Sequence, residues 1–116
     1  MMTETMKSLE LIKALADPVR IEMFYILAKK EMCVCELSDI FRMSQPRISR
    51  HLGILKKAGL IKCTKHGKWH FFIISDDMPA HDTFTLIKKH FSDEFKTDTA
   101  LLSENYVCRV KKGEET

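Results

Sequence analysis

The sequence lacks the features that mark several large classes of protein. No apolar run approaches the ~20 residues that a membrane-spanning helix needs. The N-terminal residues, MMTETMKSLE, do not have the basic and then apolar pattern of a signal peptide. Four cysteines without such a signal are typical of thiols or metal ligands in a reducing compartment, not of a disulfide framework. We therefore expect a cytoplasmic protein with no membrane partner.

Catalytic motifs are missing as well. The chain has no glycine-rich phosphate-binding loop, no HExxH zinc motif and no supported Ser/His/Asp arrangement. It also has no tandem repeat or low-complexity segment. A length of 116 residues predicts a single domain, residues 1–116, with a frayed tail at residues 111–116. The sequence thus predicts one non-enzymatic domain, and a chain of this size gains stability from dimerisation.

Acidic residues are absent from one long stretch, residues 44–70. This stretch holds seven Lys or Arg residues and no Asp or Glu, which leaves 12 basic residues against all 16 acidic residues in the rest of the chain. The formal net charge of +3 therefore hides a strongly basic segment on an acidic body. Such a segment is typical of a surface that binds nucleic-acid phosphates.

Residues 44–60, SQPRISRHLGILKKAGL, have the pattern of a short amphipathic helix. Ser44 is a favourable N-cap residue, Pro46 costs no hydrogen bond in the first turn, and Gly59 is suited to end the helix. An apolar stripe at helical spacing runs along one side, with basic residues opposite it or on its flank. The stripe consists of Ile48, Leu52 and Leu55, and the basic residues are Arg47, Arg50 and Lys57.

The flanking segments predict a mainly α-helical fold with a small β-hairpin. A helical stripe ends at Asp17, which should cap the next helix. That helix, residues 19–30, is apolar nearly all round and should be the buried centre of the fold, and a short helix follows before a tight turn at Arg42. Two short helices joined in this way form a helix-turn-helix. Residues 60–75 then have the pattern of two strands around a basic turn, so they predict the wing of a winged helix-turn-helix.

The terminal helices carry more apolar residues than solvent-facing helices need. Asp76 and Asp77 are expected to cap the last helix, whose apolar side includes three phenylalanines. Together with the first helix it should form an isologous homodimer interface. The phenylalanines are Phe84, Phe91 and Phe95.

Several blocks of the sequence resemble the ArsR/SmtB family of winged-helix repressors. Residues 44–52 are similar to the family's recognition helix, and LIKALADPVRIEMFYIL, MCVCEL and KHGKWHFFIIS match on either side. The resemblance covers about residues 9–90 and is nearest to the arsenic-responsive branch. It implies a dimeric repressor that presents one recognition helix per subunit to the major groove of a pseudo-palindromic operator.

The resemblance also implies which residues contact double-stranded DNA. Arg and Gln bind guanine and adenine edges in a bidentate way, although most protein–DNA hydrogen bonds go to phosphates. By match to the family motif the polar contacts are Ser44, Gln45, Ser49 and His51. The cationic contacts added by this chain are Arg47 and Arg50 on the helix and Lys65 and Lys68 on the wing.

Residues 32–37, MCVCEL, resemble the segment whose cysteines bind trivalent arsenic or antimony in arsenic-responsive members. The resemblance implies that Cys33 and Cys35 bind As(III) or Sb(III) as the inducer, with Cd(II), Pb(II) or Zn(II) as alternatives. Thiolates are soft donors, and a helix N-terminus raises the thiolate fraction. Residues two apart on a regular helix point about 200° away from each other, so a shared ion should distort the helix start. That distortion would misalign the recognition helix and release the operator.

A third ligand is not supplied by the same segment. Family members with three cysteines have the third where this chain has Ser38. Cys108 is the candidate replacement, whereas Cys63 in the first wing strand has the character of a packed residue. The alternative is that all four cysteines are small core hydrophobes.

A weaker alternative site lies near the terminal helix. Zinc-responsive relatives have an Asp-x-His and His-x-x-Glu motif, and this chain has Asp77, His90 and Asp93 in register with it. Pro79 replaces one histidine, and proline cannot bind a metal. Asp77 is equally well explained as a helix cap.

Two rival functions remain. In the first, the same DNA-binding fold uses its thiols as a redox switch, oxidised to a disulfide or sulfenate. In the second, the winged helix is a protein-interaction module, which predicts no salt-dependent DNA binding.

Overall fold

The computed structural model describes the backbone of residues 2–91 and the side chains of residues 8–91 except Met78. Within this range the order of elements is the predicted winged helix-turn-helix order. The helices are α1 (Met2–Leu15), α2 (Pro18–Lys29), α3 (Val34–Phe41), α4 (Gln45–Lys57) and α5 (Met78–Phe91). The strands are β1 (Met32–Cys33), β2 (Ile61–His66) and β3 (Trp69–Ile74).

The helix boundaries follow from the caps that the sequence predicts. Asp17 accepts hydrogen bonds from the N–H groups of Val19 and Arg20 at 2.8 and 3.1 Å and starts α2. Asp77 accepts from the N–H of Ala80 at 3.2 Å in the first turn of α5. Asp17 and Asp77 are therefore confirmed as caps, whereas Asp76, also predicted as a cap, pairs with Lys62 instead.

The turns on either side of α4 have the expected left-handed residues. Arg42 ends α3 with φ +55°, a conformation that lets the chain reverse into α4. Gly59 follows α4 with φ +82°, and the N–H of Leu60 then donates to the carbonyl of Leu55 at 3.1 Å. Both turns position α4 relative to α3 and the wing.

The sheet differs from the prediction by one strand. The β2–β3 hairpin is present as predicted, but β1 pairs antiparallel with β3 on its other side, which gives the order β1-β3-β2. Met32 is paired with Phe72, and Cys33 with Phe71. A two-residue strand is too short to show an alternating pattern, so the sequence did not reveal it.

The core is built around α2, as predicted. Its Met23, Phe24, Ile26 and Leu27 are fully buried, and they meet the stripe of α4 that faces inward. That stripe, Ile48, Leu52 and Leu55, is buried as expected. Apolar side chains remain exposed on the terminal helices, where the dimer interface was predicted: Leu9, Ile12, Leu86 and Phe91.

Several predictions fall on residues outside the described range, among them the frayed tail at residues 111–116 and the apolar role of Phe95. No helix among the described residues is long and apolar enough to cross a membrane.

Candidate DNA-binding surface and thiol site

The solvent-facing side of α4 carries most of the predicted DNA contacts. Gln45, Arg47, Ser49 and Arg50 are all exposed, opposite the buried stripe. Ser44 is exposed as well, and its hydroxyl oxygen accepts from the N–H of Arg47 at 3.4 Å, which makes it the N-cap of α4. These polar groups therefore lie on one accessible surface.

The wing adds a second basic surface. A two-residue turn at Gly67 and Lys68 joins β2 to β3, with Gly67 at φ +63°. Lys65 and Lys68 are exposed on either side of the tip. Lys62 differs because its ammonium group lies 2.6 Å from the Asp76 carboxylate, whose pKa it lowers through a hydrogen bond and its charge. The basic stretch is thus partly neutralised within the chain.

His51 is not on the exposed surface that carries the other predicted DNA contacts of α4. Its ring is half-buried, and its Nδ1 lies 3.3 Å from Nη1 of Arg20 on α2. The family motif placed His51 among the DNA contacts, but the structure turns this ring atom toward the body of the domain. The reason is that α4 crosses the junction between α1 and α2, where Arg20 projects from the first turn of α2.

The wing sheet has two different faces. The inner face, Met32, Ile61, Phe72 and Ile74, packs on the main core. The outer face, Cys33, Thr64, His66, Trp69 and Phe71, points the other way because side chains alternate along each strand. Cys33 and Cys35 form a separate small cluster there, covered by Trp69 and Phe71. Trp69 and Phe71 therefore pack within the sheet, against the two cysteines.

The side chains of Cys33 and Cys35, the thiol pair, are buried and point toward each other. Cys33 and Cys35 are 1% and 4% exposed, their Cα atoms are 5.5 Å apart, and their Sγ atoms are paired as a disulfide. Cys33 is the N-cap of α3, with the extended angles φ −90° and ψ 170°, so it stands outside the regular helix. The expectation that the two sulfurs could meet only by distorting the helix start is therefore wrong. Helical geometry does not apply to an N-cap residue.

Glu36 stabilises this arrangement. Its buried carboxylate accepts a hydrogen bond from the N–H of Cys33 at 3.0 Å, in the manner of a capping box. Glu36 is not among the predicted site residues, although a Glu three residues after an N-cap is a sequence signal for this motif. The signal applies only where Cys33 is the N-cap, whereas the prediction places Cys33 inside the helix.

The thiol pair borders both of the predicted DNA-reading elements. A cleft of about 240 Å³ is lined by the two cysteines and by Gln45 of α4 and Lys68 and Trp69 of the wing, with Val34 and His70 completing it. Among the described residues, no group of three or more His, Cys, Asp or Glu side chains could hold a metal ion. The described chain therefore offers a two-sulfur site between the recognition helix and the wing.

The other predicted ligands are dispersed. The Ser38 hydroxyl donates to the carbonyl of Met43 and so holds the turn of the helix-turn-helix. Cys63 is partly buried on the inner side of the hairpin, with its Sγ 3.8 Å from Nδ1 of His70. Asp77 is the cap described above, and His90 is exposed near the end of α5. Cys108 and Asp93 lie outside the described residues.

Comparison with known proteins agrees with this architecture. The family described as "Bacterial regulatory protein, arsR family" matches residues 17–62. An uncharacterized HTH-type transcriptional regulator of Methanocaldococcus jannaschii is 47% identical over 72 residues, which are 61% of this chain and 81% of that protein. The arsenical resistance operon repressor of Escherichia coli is 41% identical over 73 residues, which are 62% of each chain. This chain thus spans less than two thirds of the length of that repressor.

Solved structures share the fold. Reduced HlyU from Vibrio cholerae superposes with a TM-score of 0.69 and 27% identity, covering 78% of this chain and 94% of that one. A homodimeric winged helix-turn-helix DNA-binding domain from Mycobacterium bovis gives a TM-score of 0.70 at 24% identity, covering 79% and 83%. The helix-turn-helix, the wing and these similarities together establish that the chain belongs to the ArsR/SmtB family of winged helix-turn-helix proteins, which are non-enzymatic transcriptional regulators.

Proposed function

We propose that the protein is a cytoplasmic, homodimeric repressor that binds operator DNA and releases it when a thiophilic metalloid, As(III) or Sb(III), binds Cys33 and Cys35. The observation that carries this proposal is the position of the two sulfurs. They converge in a cleft that Gln45 and Lys68 also line. A ligand at the sulfurs therefore acts on the recognition helix and on the wing at once.

The proposed DNA surface combines α4 with the wing tip. Its residues are Ser44, Gln45, Arg47, Ser49, Arg50, Lys65 and Lys68, all exposed. Cationic side chains on both elements would neutralise phosphates on either side of the groove that α4 enters. The similarity to the E. coli repressor supports this choice of function.

The proposed dimer uses the apolar sides of α1 and α5. Ile12 on α1 and Leu86 on α5 are 60% and 56% exposed in the single chain, which is unusual for large apolar side chains. An isologous dimer would cover both and would present two copies of α4 to successive half-sites. The M. bovis domain of the same fold is described as homodimeric.

The two cysteines supply two of the ligands that the inducer needs. Two thiolates are soft donors suited to As(III) or Sb(III), and the same donors would accept Cd(II), Pb(II) or Zn(II). As(III) prefers three thiolates, so Cys108 or a solvent thiol would supply the third. The alternative site at Asp77, His90 and Asp93 has less support, because Asp77 already caps α5.

The test is arsenite-driven release of a fluorescent duplex, measured by anisotropy with a phosphine reductant present. A suitable duplex is one enriched from a random library with the parent protein. We expect arsenite to release the parent, and the Cys33→Ser/Cys35→Ser variant to bind the duplex but not respond. Cys63→Ser is the matched control and should respond fully. An unchanged arsenite response in the double variant would contradict the assignment.

The Cys108→Ser variant then separates two ligand sets. A full response means that the two cysteines suffice, whereas loss of the response means that the tail supplies the third sulfur. Either result leaves the thiol pair as the site.

A second candidate function is a redox switch at the same sulfurs. The pairing of Cys33 with Cys35 favours it, because their Cα separation of 5.5 Å suits a disulfide, so the bond can open and close without moving the backbone. Oxidation would remove two protons and two electrons, which an oxidant such as hydrogen peroxide takes up to form water. Peroxide-driven release that a phosphine reverses, with no response to arsenite, would favour this function over metalloid sensing.

A further inference from the structure

Arg20 brings together three parts of the domain, one of which, α4, is distant from it in sequence. Its Nε donates to the carbonyl of Ala14 at 2.7 Å, and its Nη2 donates to the carbonyl of Lys13 at 3.4 Å, both near the end of α1. Its Nη1 lies 3.8 Å from the Asp17 carboxylate and 3.3 Å from Nδ1 of His51 on α4. One guanidinium group thus joins the end of α1, the cap of α2 and the middle of α4.

The contact with His51 defines the state of the imidazole ring. A guanidinium group has only donors, so Nδ1 must accept the hydrogen bond and carry no proton. The neutral ring then has its proton on Nε2. A charged imidazolium would instead present a second donor to a cation, and the contact would be lost.

Burial, together with the nearby arginine charges, lowers the pKa of the His51 ring. Burial lowers the pKa of His51, and the charges of Arg20, Arg47 and Arg50 lower it further, against the opposite effect of Asp17. Burial alone would raise the pKa of the Asp17 carboxyl, but the N–H groups of Arg20 and Val19 and the Arg20 charge outweigh it and lower that pKa. An ionised Asp17 and a neutral His51 therefore coexist around Arg20 at neutral pH.

Apolar packing and the hydrogen bond to His51 constrain α4 in different ways. The buried stripe holds the helix against the core, but hydrophobic contacts are non-directional. A hydrogen bond is directional, and this one is made near the middle of the helix, one residue after Arg50. It is therefore suited to fix the rotation of α4 about its own axis.

We propose, on the basis of the proposed DNA-binding function, that Arg20 and His51 are positioning residues that orient the recognition helix, and that His51 does not read DNA. Arg20 also bonds the last carbonyls of α1, a helix of the proposed dimer interface. The same tether thus links the orientation of each recognition helix to the dimer.

Two substitutions of His51 separate a positioning role from a DNA contact. In His51→Asn the amide oxygen stands close to where Nδ1 was and still accepts from Arg20. In His51→Gln the amide reaches the position of Nε2, where a DNA contact would be made. His51→Ala removes both groups.

We expect His51→Asn to bind the selected duplex like the parent, and His51→Gln and His51→Ala to bind about tenfold more weakly, the scale of one lost charge-assisted hydrogen bond. Anisotropy measures the affinity, and thermal unfolding checks that each variant is folded. Parent-like binding by His51→Gln with weak binding by His51→Asn would overturn the proposal in favour of DNA contact. Equal weakening of all three variants would overturn it as well.

The pH dependence gives an independent readout. Because the pKa of His51 is lowered, its ring gains a proton only below the ordinary histidine pKa of about 6.5. As pH falls below that value, the parent should lose affinity relative to His51→Asn, which cannot titrate at this position. Protonation of a phosphate-contacting histidine would have the opposite effect and would strengthen binding. A parent whose affinity rises relative to His51→Asn at low pH would contradict the tether.

These results are distinguishable from failure of the DNA-binding function itself. If the parent enriches no duplex and binds DNA without salt dependence, the proposed function is wrong and the positioning role falls with it. If the parent binds with the expected salt dependence, only the His51 variants decide the inference.

Discussion

The two faces of the wing sheet differ in what they pack against. The inner face belongs to the main core, where Met32 and Ile61 are completely or almost completely buried among helices. The outer face is a small cluster of two cysteines under Trp69 and Phe71, bordered by Gln45 and Lys68. Adjacent residues of one short strand, Met32 and Cys33, therefore serve different clusters.

This difference shows how the proposed sensor can be part of a small domain without lowering its stability. The core can stay intact while the outer cluster changes its ligand or oxidation state, because the two clusters share little more than the backbone of the sheet. The outer cluster lines one cleft together with Gln45 of α4 and Lys68 of the wing. In the proposed function, a chemical change there therefore acts on the proposed DNA surface and not on the core.

The largest expected effect separates the two faces directly. Met32→Ala should lower the free energy of unfolding by about 2–5 kcal/mol, because it leaves a cavity in the main core. Cys33→Ala, its neighbour on the other face, should cost only about 1 kcal/mol, since it removes one sulfur from a small cluster. Denaturant unfolding under reducing conditions measures both. Equal losses of unfolding free energy in the two variants would mean that the outer cluster contributes to stability as much as the main core does.

A smaller effect compares two lysines of the wing. Lys68→Ala should weaken binding to any duplex and reduce the slope of log affinity against log salt by about one. Lys62→Ala is the matched control, since Lys62 already pairs with Asp76, and it should change the slope less. Anisotropy titrations over a range of salt concentrations provide the slopes. A larger change in slope for Lys62→Ala than for Lys68→Ala would contradict the proposed contact between the DNA and the wing tip.

Much of the scaffold could be predicted from the sequence because its signals are local. Asp17 and Asp77 mark the starts of α2 and α5 because their side chains cap the first turns. Gly59 ends α4, and the apolar stripe of α4 has a clear helical period. The hairpin was equally visible from its change of period and its glycine turn. These features depend on residues close together in the chain.

The features that were missed depend on contacts between distant residues. The strand β1 exists only because β3 lies beside it, and Cys33 takes extended angles because it belongs to that strand. The contact between Arg20 and His51 joins positions 31 residues apart, which no spacing rule could reveal. The resemblance to the family points to the two cysteines, but the way their sulfurs meet can be seen only in the folded structure.

The most direct test of the account is whether DNA and arsenite oppose each other at the thiol pair. Trp69 is the only tryptophan in the chain and packs against the two cysteines, so its fluorescence reports arsenite binding. Arsenite should be titrated with and without a saturating amount of the selected duplex. Linkage requires the duplex to raise the apparent Kd for arsenite by the same factor, about 5–150-fold, by which arsenite raises the Kd for the duplex. An arsenite affinity that is the same with and without DNA would contradict the central claim that the thiol site and the DNA surface are coupled.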